Sequence, residues 1–132
     1  MSKGIFSIVL SALLLIAFSG TVFASNPKEK SSNTGVIEVN LIEGVKSENA
    51  GLRVSSAIFL GDMHSSAAVI PLMRVLKNCE TEEARIAAAV SLIKIGDARG
   101  IYAVKRAAQF DESQRVRDLC LRFYHSYKMG KV

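Results

Sequence analysis

The chain has 132 residues, 49% of them apolar, and its 17 Lys and Arg against 12 Asp and Glu give a formal charge of +5. That length holds one small domain and excludes large two-domain enzymes and most cofactor barrels. The apolar share is that of a folded chain and excludes overall disorder.

Lys3 opens the chain, residues 5–18 are apolar apart from Ser7 and Ser11, and compact Val22 and Ala24 stand at the −3 and −1 sites of a cut after Ala24. This is the three-part pattern of a secretory signal over residues 1–24. A spanning helix needs roughly 20 apolar residues, more than this stretch supplies. The alternative is an uncleaved N-terminal anchor. Cleavage leaves 108 residues delivered to a periplasm or outside the cell, and nothing later in the chain resembles a membrane span.

Residues 25–35 are polar and rich in Ser, Asn and turn formers, and read as a flexible leader. Residues 36–46, with Val36, Ile37, Leu41 and Val45 apolar, read as a capping helix, with a short strand at Val36-Ile37-Glu38-Val39 as the alternative.

A repeat of 32 residues follows. Arg53, Arg85 and Arg117 are 32 apart, and so are Asn49, Thr81 and Ser113, four residues before them. Asn, Thr and Ser cap helix N-termini through a side-chain oxygen. After each Arg the apolar positions recur at helical spacing: Leu60, Leu92 and Tyr124 seven residues on, Met63, Ile95 and Tyr127 ten on. Small pairs between them, Ser56-Ala57 and Ala88-Ala89, let a neighbouring helix approach closely. Each complete unit has a second helix, one striped by Val69, Leu72, Met73 and Leu76 with Pro71 in its first turn, the other by Ile101, Val104, Ala107 and Ala108.

The string from Glu83 to Asp97, EARIAAAVSLIKIGD, resembles the HEAT-like repeats first named from phycobilisome lyases, with an Arg, an Ala-rich helix, a Leu and a Gly-Asp turn. The resemblance covers about residues 49–128. The first unit departs from it with His64-Ser65 where Gly-Asp is usual, and the third lacks a second helix. It implies an all-α fold: a short right-handed α-solenoid of about two and a half stacked helical hairpins, residues 36–128, with residues 129–132 as a tail. Most proteins with such repeats are binding scaffolds, so the resemblance implies no lyase activity.

The chemistry-bearing residues are sparse. Cys79 falls in the loop between units and Cys120 on an inward stripe, and stacked units lie too far apart for these two to form a disulfide. His64 and His125 read as surface residues, and no His/Cys pair has metal-ligand spacing. Glu80, Glu82 and Glu83 surround a helix N-terminus, where the dipole favours negative charge. No cofactor is implied.

The Arg triplet reads as a structural series tying adjacent units through carboxylates, such as the Glu five residues before each, and through loop carbonyls; a row of anion-binding guanidiniums is the alternative. The better binding candidates are Arg74, Lys77, Lys105 and Arg106 on the second helices, which usually line the concave face, with Met73 and Tyr102 adding apolar contact. Residues 99–132 carry eight Lys/Arg against three Asp/Glu, while residues 25–98 carry eight against nine. An acidic protein partner suits this balance, and export argues against nucleic acid. The leading expectation is an exported, non-enzymatic scaffold that binds a protein through a basic concave face. A second is a structural protein self-associating through its aromatic C-terminal helix, with Phe123, Tyr124 and Tyr127. A small enzyme or chromophore-attachment factor is the third.

Overall fold

A computed structural model describes residues 27–132; the expected signal at 1–24 and the first two leader residues lie outside the described residues. Among the described residues there are six α-helices and no strand: α1 (Pro27–Val45), α2 (Ala50–Asp62), α3 (Val69–Asn78), α4 (Glu82–Ile95), α5 (Ala98–Phe110) and α6 (Gln114–Lys128). A 3-10 turn, Ser66–Ala68, leads into α3. The helices stack as a short solenoid, with α2–α3 and α4–α5 as complete hairpins and α6 as the first helix of a third unit.

The first helix begins at Pro27 rather than near Val36, so most of the expected flexible leader is helical. Proline fits a first helical turn, where its missing N–H costs nothing. The strand alternative at residues 36–39 is not realised. Helix α1 is anchored by Val45, which is fully buried, by Leu41 and Ile42 packed against the core, and by Glu38, which accepts from the Ser65 hydroxyl.

The capping residues behave unequally. Asn49 accepts from Leu52 N at 3.0 Å and Ser113 from Val116 N at 3.3 Å. Thr81 holds the N-cap position of α4 but makes no cap bond, and its hydroxyl lies 3.4 Å from Cys79 Sγ. The two hairpin turns share a geometry despite different residues. Gly96 closes α4 with φ 77°, and His64, its counterpart one unit earlier, has φ 52°. Asp97 then caps α5 through Arg99 N at 2.9 Å, and Ser65 caps the 3-10 turn through Ala68 N at 3.2 Å. The first unit therefore makes the same left-handed turn that Gly-Asp makes in the second.

The core centres on α4, which packs on α2, α3, α5 and α6. Being covered on several sides, it buries Ala84, Ala87, Ala88, Ala89, Leu92 and Ile93 rather than a single stripe. Its small residues permit the close approach the sequence predicts. Gly61 of α2 is needed for the same reason: a Cβ there would lie 2.7 Å from Ser91 Cβ and 2.8 Å from its Cα. Ser91, fully buried, donates its hydroxyl to Ala57 O at 2.7 Å and so is satisfied. Units one repeat apart also touch at equivalent positions, as Lys94 does Asp62 at 2.5 Å and Arg115 does Glu83 at 3.2 Å.

Candidate functional site

The Arg series forms a regular inter-unit lattice, with one change of partner. Each Arg donates to the carbonyl six residues before it: Arg53 to Ser47 O at 2.7 and 2.9 Å, Arg85 to Cys79 O at 2.7 Å, and Arg117 to Asp111 O at 2.6 Å. Two of them also reach the next loop, 26 residues on. Arg53 donates to Cys79 Sγ at 2.8 Å, and Arg85 donates to Asp111 Oδ1 at 3.1 Å. The inter-unit acceptor is thus the residue six before the next Arg, in place of the expected Glu five before it. Glu112 stands only 3.6 Å from Arg85 as a secondary, exposed contact. Arg53 and Arg85 are occupied by these contacts, while Arg117 bonds only the carbonyls of its own loop.

Cys79 occupies in its loop the place Asp111 takes in the next. Partial burial raises its thiol pKa, but the hydrogen bonds from Thr81 and Arg53, together with the Arg53 charge, outweigh this and hold it below 9.0. Cys120 differs: burial first, then the Asp111 charge, pushes its pKa up to about 12, against a smaller opposing effect of Arg85. Both are free thiols.

A groove of about 330 Å³ runs between the second helices α3 and α5. Met73, Leu76 and Lys77 line it from α3, and Tyr102, Arg106 and Phe110 from α5, with Ala103 and Ala107 between them. Spacing explains the set. Met73 and Lys77 are one turn apart, and Tyr102, Arg106 and Phe110 form a single i, i+4, i+8 stripe. Arg106 lies over the Phe110 ring, 5.5 Å from its centroid, a cation–π arrangement. Lys77, Tyr102, Arg106 and Phe110 are all exposed. Asp111 also borders the groove, but its carboxylate is committed to Arg85 and to Ser113 N at 2.9 Å. Among the described residues, the charges at the groove without an ion-pair partner are therefore Lys77 and Arg106.

Four of the six expected binding residues, Met73, Lys77, Tyr102 and Arg106, converge here. Arg74 does not. It borders a separate cavity of about 500 Å³ between the end of α1, α2, α3 and the Cys79 loop. One residue of helix separates Arg74 from Met73 by about 100°, enough to turn it onto another face. Lys105 borders neither. Of the groove residues missing from the sequence expectation, Phe110 is the exposed aromatic, and extending the Tyr102–Arg106 spacing by one more turn reaches it. In the larger cavity Arg53, Cys79 and Thr81 bind one another and the loop, so its polar groups serve the lattice.

The model for HEAT repeats matches residues 38–122, more than half of the chain. The chain belongs to the HEAT repeat family. No curated protein matches it. Members of this family are commonly protein-interaction scaffolds, and the groove lies on the second helices of its two complete HEAT hairpins. Among the described residues no group of His, Cys, Asp or Glu could hold a metal ion, and no helix is long and apolar enough to cross a membrane.

Proposed function

We propose that this HEAT-repeat protein is an exported, non-catalytic adaptor that holds an acidic segment of a partner protein in the α3–α5 groove. The observation that carries this reading is the pairing of free cations with exposed aromatics. Lys77 and Arg106 have no carboxylate partner among the described residues; Arg106 stands between Tyr102 and Phe110 on α5, and Lys77 lines the same groove from α3. Tyr and Arg are the residues that most often dominate binding energy when a partner desolvates them. A fitting ligand is an extended or helical segment with one large apolar anchor between Asp or Glu residues. Family membership supports the scaffold role, and the signal pattern of residues 1–24 supports export.

Fluorescence anisotropy with two labelled peptides of equal length tests the groove. Both carry a central Leu-Phe anchor, one flanked by Glu and the other by Lys. The Glu peptide should bind more tightly, lose affinity as salt rises, and lose roughly 30-fold on Tyr102→Ala, the scale of a hot-spot truncation. Equal binding of both peptides, or no effect of Arg106→Glu, would contradict the reading. Export is checked by mass spectrometry of the protein in the cell-envelope fraction. An N-terminus at Ser25 supports it, and an intact N-terminus in the cytosol contradicts it.

A further inference from the structure

The repeat sets equivalent positions of successive units side by side, so each position can be compared with its counterparts 32 residues away. Three positions at the N-terminal end of the solenoid are anomalously open. Ile37 is 47% exposed, whereas its counterparts Val69 and Ile101 are 0% and 9% exposed. Leu52 is 50% exposed where Ala84 and Val116 are 0%. Phe59 is 58% exposed where Ser91 is 0%. At the opposite end Leu121 is 46% exposed, against 1% for Ala57 and 0% for Ala89. Each is a position that an adjacent unit covers inside the solenoid. Solenoid ends that face water normally carry polar caps, and these two carry large apolar side chains instead.

The ends are also complementary in charge and in hydrogen-bonding capacity. Residues 27–48, α1 and the loop after it, hold four Glu and three Lys, whereas residues 114–132 hold five Lys and Arg and one Asp. Arg85 has Glu112 of the following unit within 3.6 Å. Arg117, its counterpart, reaches only the carbonyls of its own loop, with no carboxylate partner among the described residues. Glu48, the counterpart of Glu112, has no cationic partner among them. The helices match as well. Among the described residues, α1 is by the 32-residue spacing a second helix with no first before it, and α6 is a first helix with no second after it.

We infer that the chain stacks head to tail on a second copy of itself, the α6 end of one protomer seating on the α1–α2 end of the next. The contacts inside the chain supply the template. Ser91 rests on Ala57, its hydroxyl 2.7 Å from the carbonyl. The same relation one unit beyond α6 places Phe59 of the next copy on Leu121, with Glu48 of that copy opposite Arg117 and its α1 beside α6. Two different faces meet in such a contact, so it propagates instead of closing as a two-fold dimer. The inference is independent of the groove, which lies on the second-helix face.

Sedimentation velocity on protein purified from cells expressing the full chain tests this, using two surface variants. Leu121→Arg blocks the α6 end and Phe59→Arg blocks the α2 end; both sites are exposed, and circular dichroism checks that each variant stays helical. The unmodified protein should gain mass with concentration and lose association at high salt. Each variant alone should associate at least tenfold more weakly, and an equimolar mixture of the two should give a one-to-one dimer and nothing larger, because each supplies the face the other lacks. Tyr102→Ala should leave self-association unchanged. A protein that stays monomeric at every concentration overturns the inference. So does a mixture that fails to dimerise, or a dimer that persists equally in both variants.

Discussion

Arg85 and Asp111 sit in successive units, 26 residues apart, and lock the two together from inside the protein. Arg85 Nη2 donates to Oδ1 at 3.1 Å, and Nε lies 3.1 Å from Oδ2 without the alignment of a hydrogen bond, so that second contact is Coulombic. The two side chains are only 4% and 7% exposed. Arg85 also holds the carbonyls of Cys79 and Glu80 at 2.7 and 3.1 Å, which leaves two loops dependent on one guanidinium.

Arg85→Ala should therefore destabilise the protein by about 3–5 kcal/mol, the cost of leaving a buried partner charge uncompensated. Arg115→Ala removes exposed contacts to Glu82 and Glu83 and should cost no more than about 1 kcal/mol. Urea unfolding of both variants checks the contrast. Similar losses in the two would mean that burial is not what gives the Arg85 contact its weight.

The three N-cap positions separate in the same measurement. Asn49→Ala and Ser113→Ala each remove a cap bond and should each cost about 1 kcal/mol. Thr81→Ala removes none and should cost clearly less. Its effect should appear instead at Cys79, whose thiol pKa should rise once the Thr81 hydroxyl bond is gone, the backbone bond from residue 81 remaining.

Cys79 itself gives a pH prediction. Its folded pKa lies below the ordinary thiol value of 9.0, so the unfolded chain binds more protons than the folded one between those two values. The thiolate contact with Arg53 thus adds stability that is fully present above 9.0 and is lost as pH falls through the folded pKa. The rate of alkylation of native protein should rise with a midpoint below 9.0, while Cys120, buried and pushed up to about 12, should stay unreactive until unfolding. A midpoint at or above 9.0 for Cys79, or one unchanged by Arg53→Met, contradicts the assignment.

Two glycine exchanges should act in opposite directions. His64 holds a left-handed turn at φ 52°, a conformation that costs a residue with a side chain about 1 kcal/mol, so His64→Gly should be neutral to stabilising. Gly61→Ala forces a Cβ within 2.8 Å of the Ser91 backbone and should destabilise by about 1–3 kcal/mol. Thermal unfolding of the two variants reads both signs.

Much of this architecture is legible in the chain because a repeat constrains each position three times. The Arg spacing and the small pairs Ser56-Ala57 and Ala88-Ala89 follow from one 32-residue register, whereas the groove takes opposite flanks of two successive helices, so Met73 and Arg106 line it while their register counterparts Lys105 and Arg74 do not. Less was legible where the register breaks or where two neighbours compete. A polar run with one Gly gave no apolar period at residues 27–35, yet it is helical. Asp111 outcompetes Glu112 for Arg85 because the shorter carboxylate stands in the buried loop while Glu112 is exposed. Arg74 and Lys105 share a helix with groove residues but not a face, a distinction that charge alone does not make.

A nuclear magnetic resonance titration tests binding in the groove most directly. Backbone amides of isotope-labelled protein are followed as the Glu-flanked peptide is added. Saturable shifts should concentrate in α3 and α5, around residues 73–77 and 102–110, and be abolished by Tyr102→Ala combined with Arg106→Glu. Shifts that cluster at the solenoid ends or in the Cys79 loop, or that survive both substitutions, would contradict it.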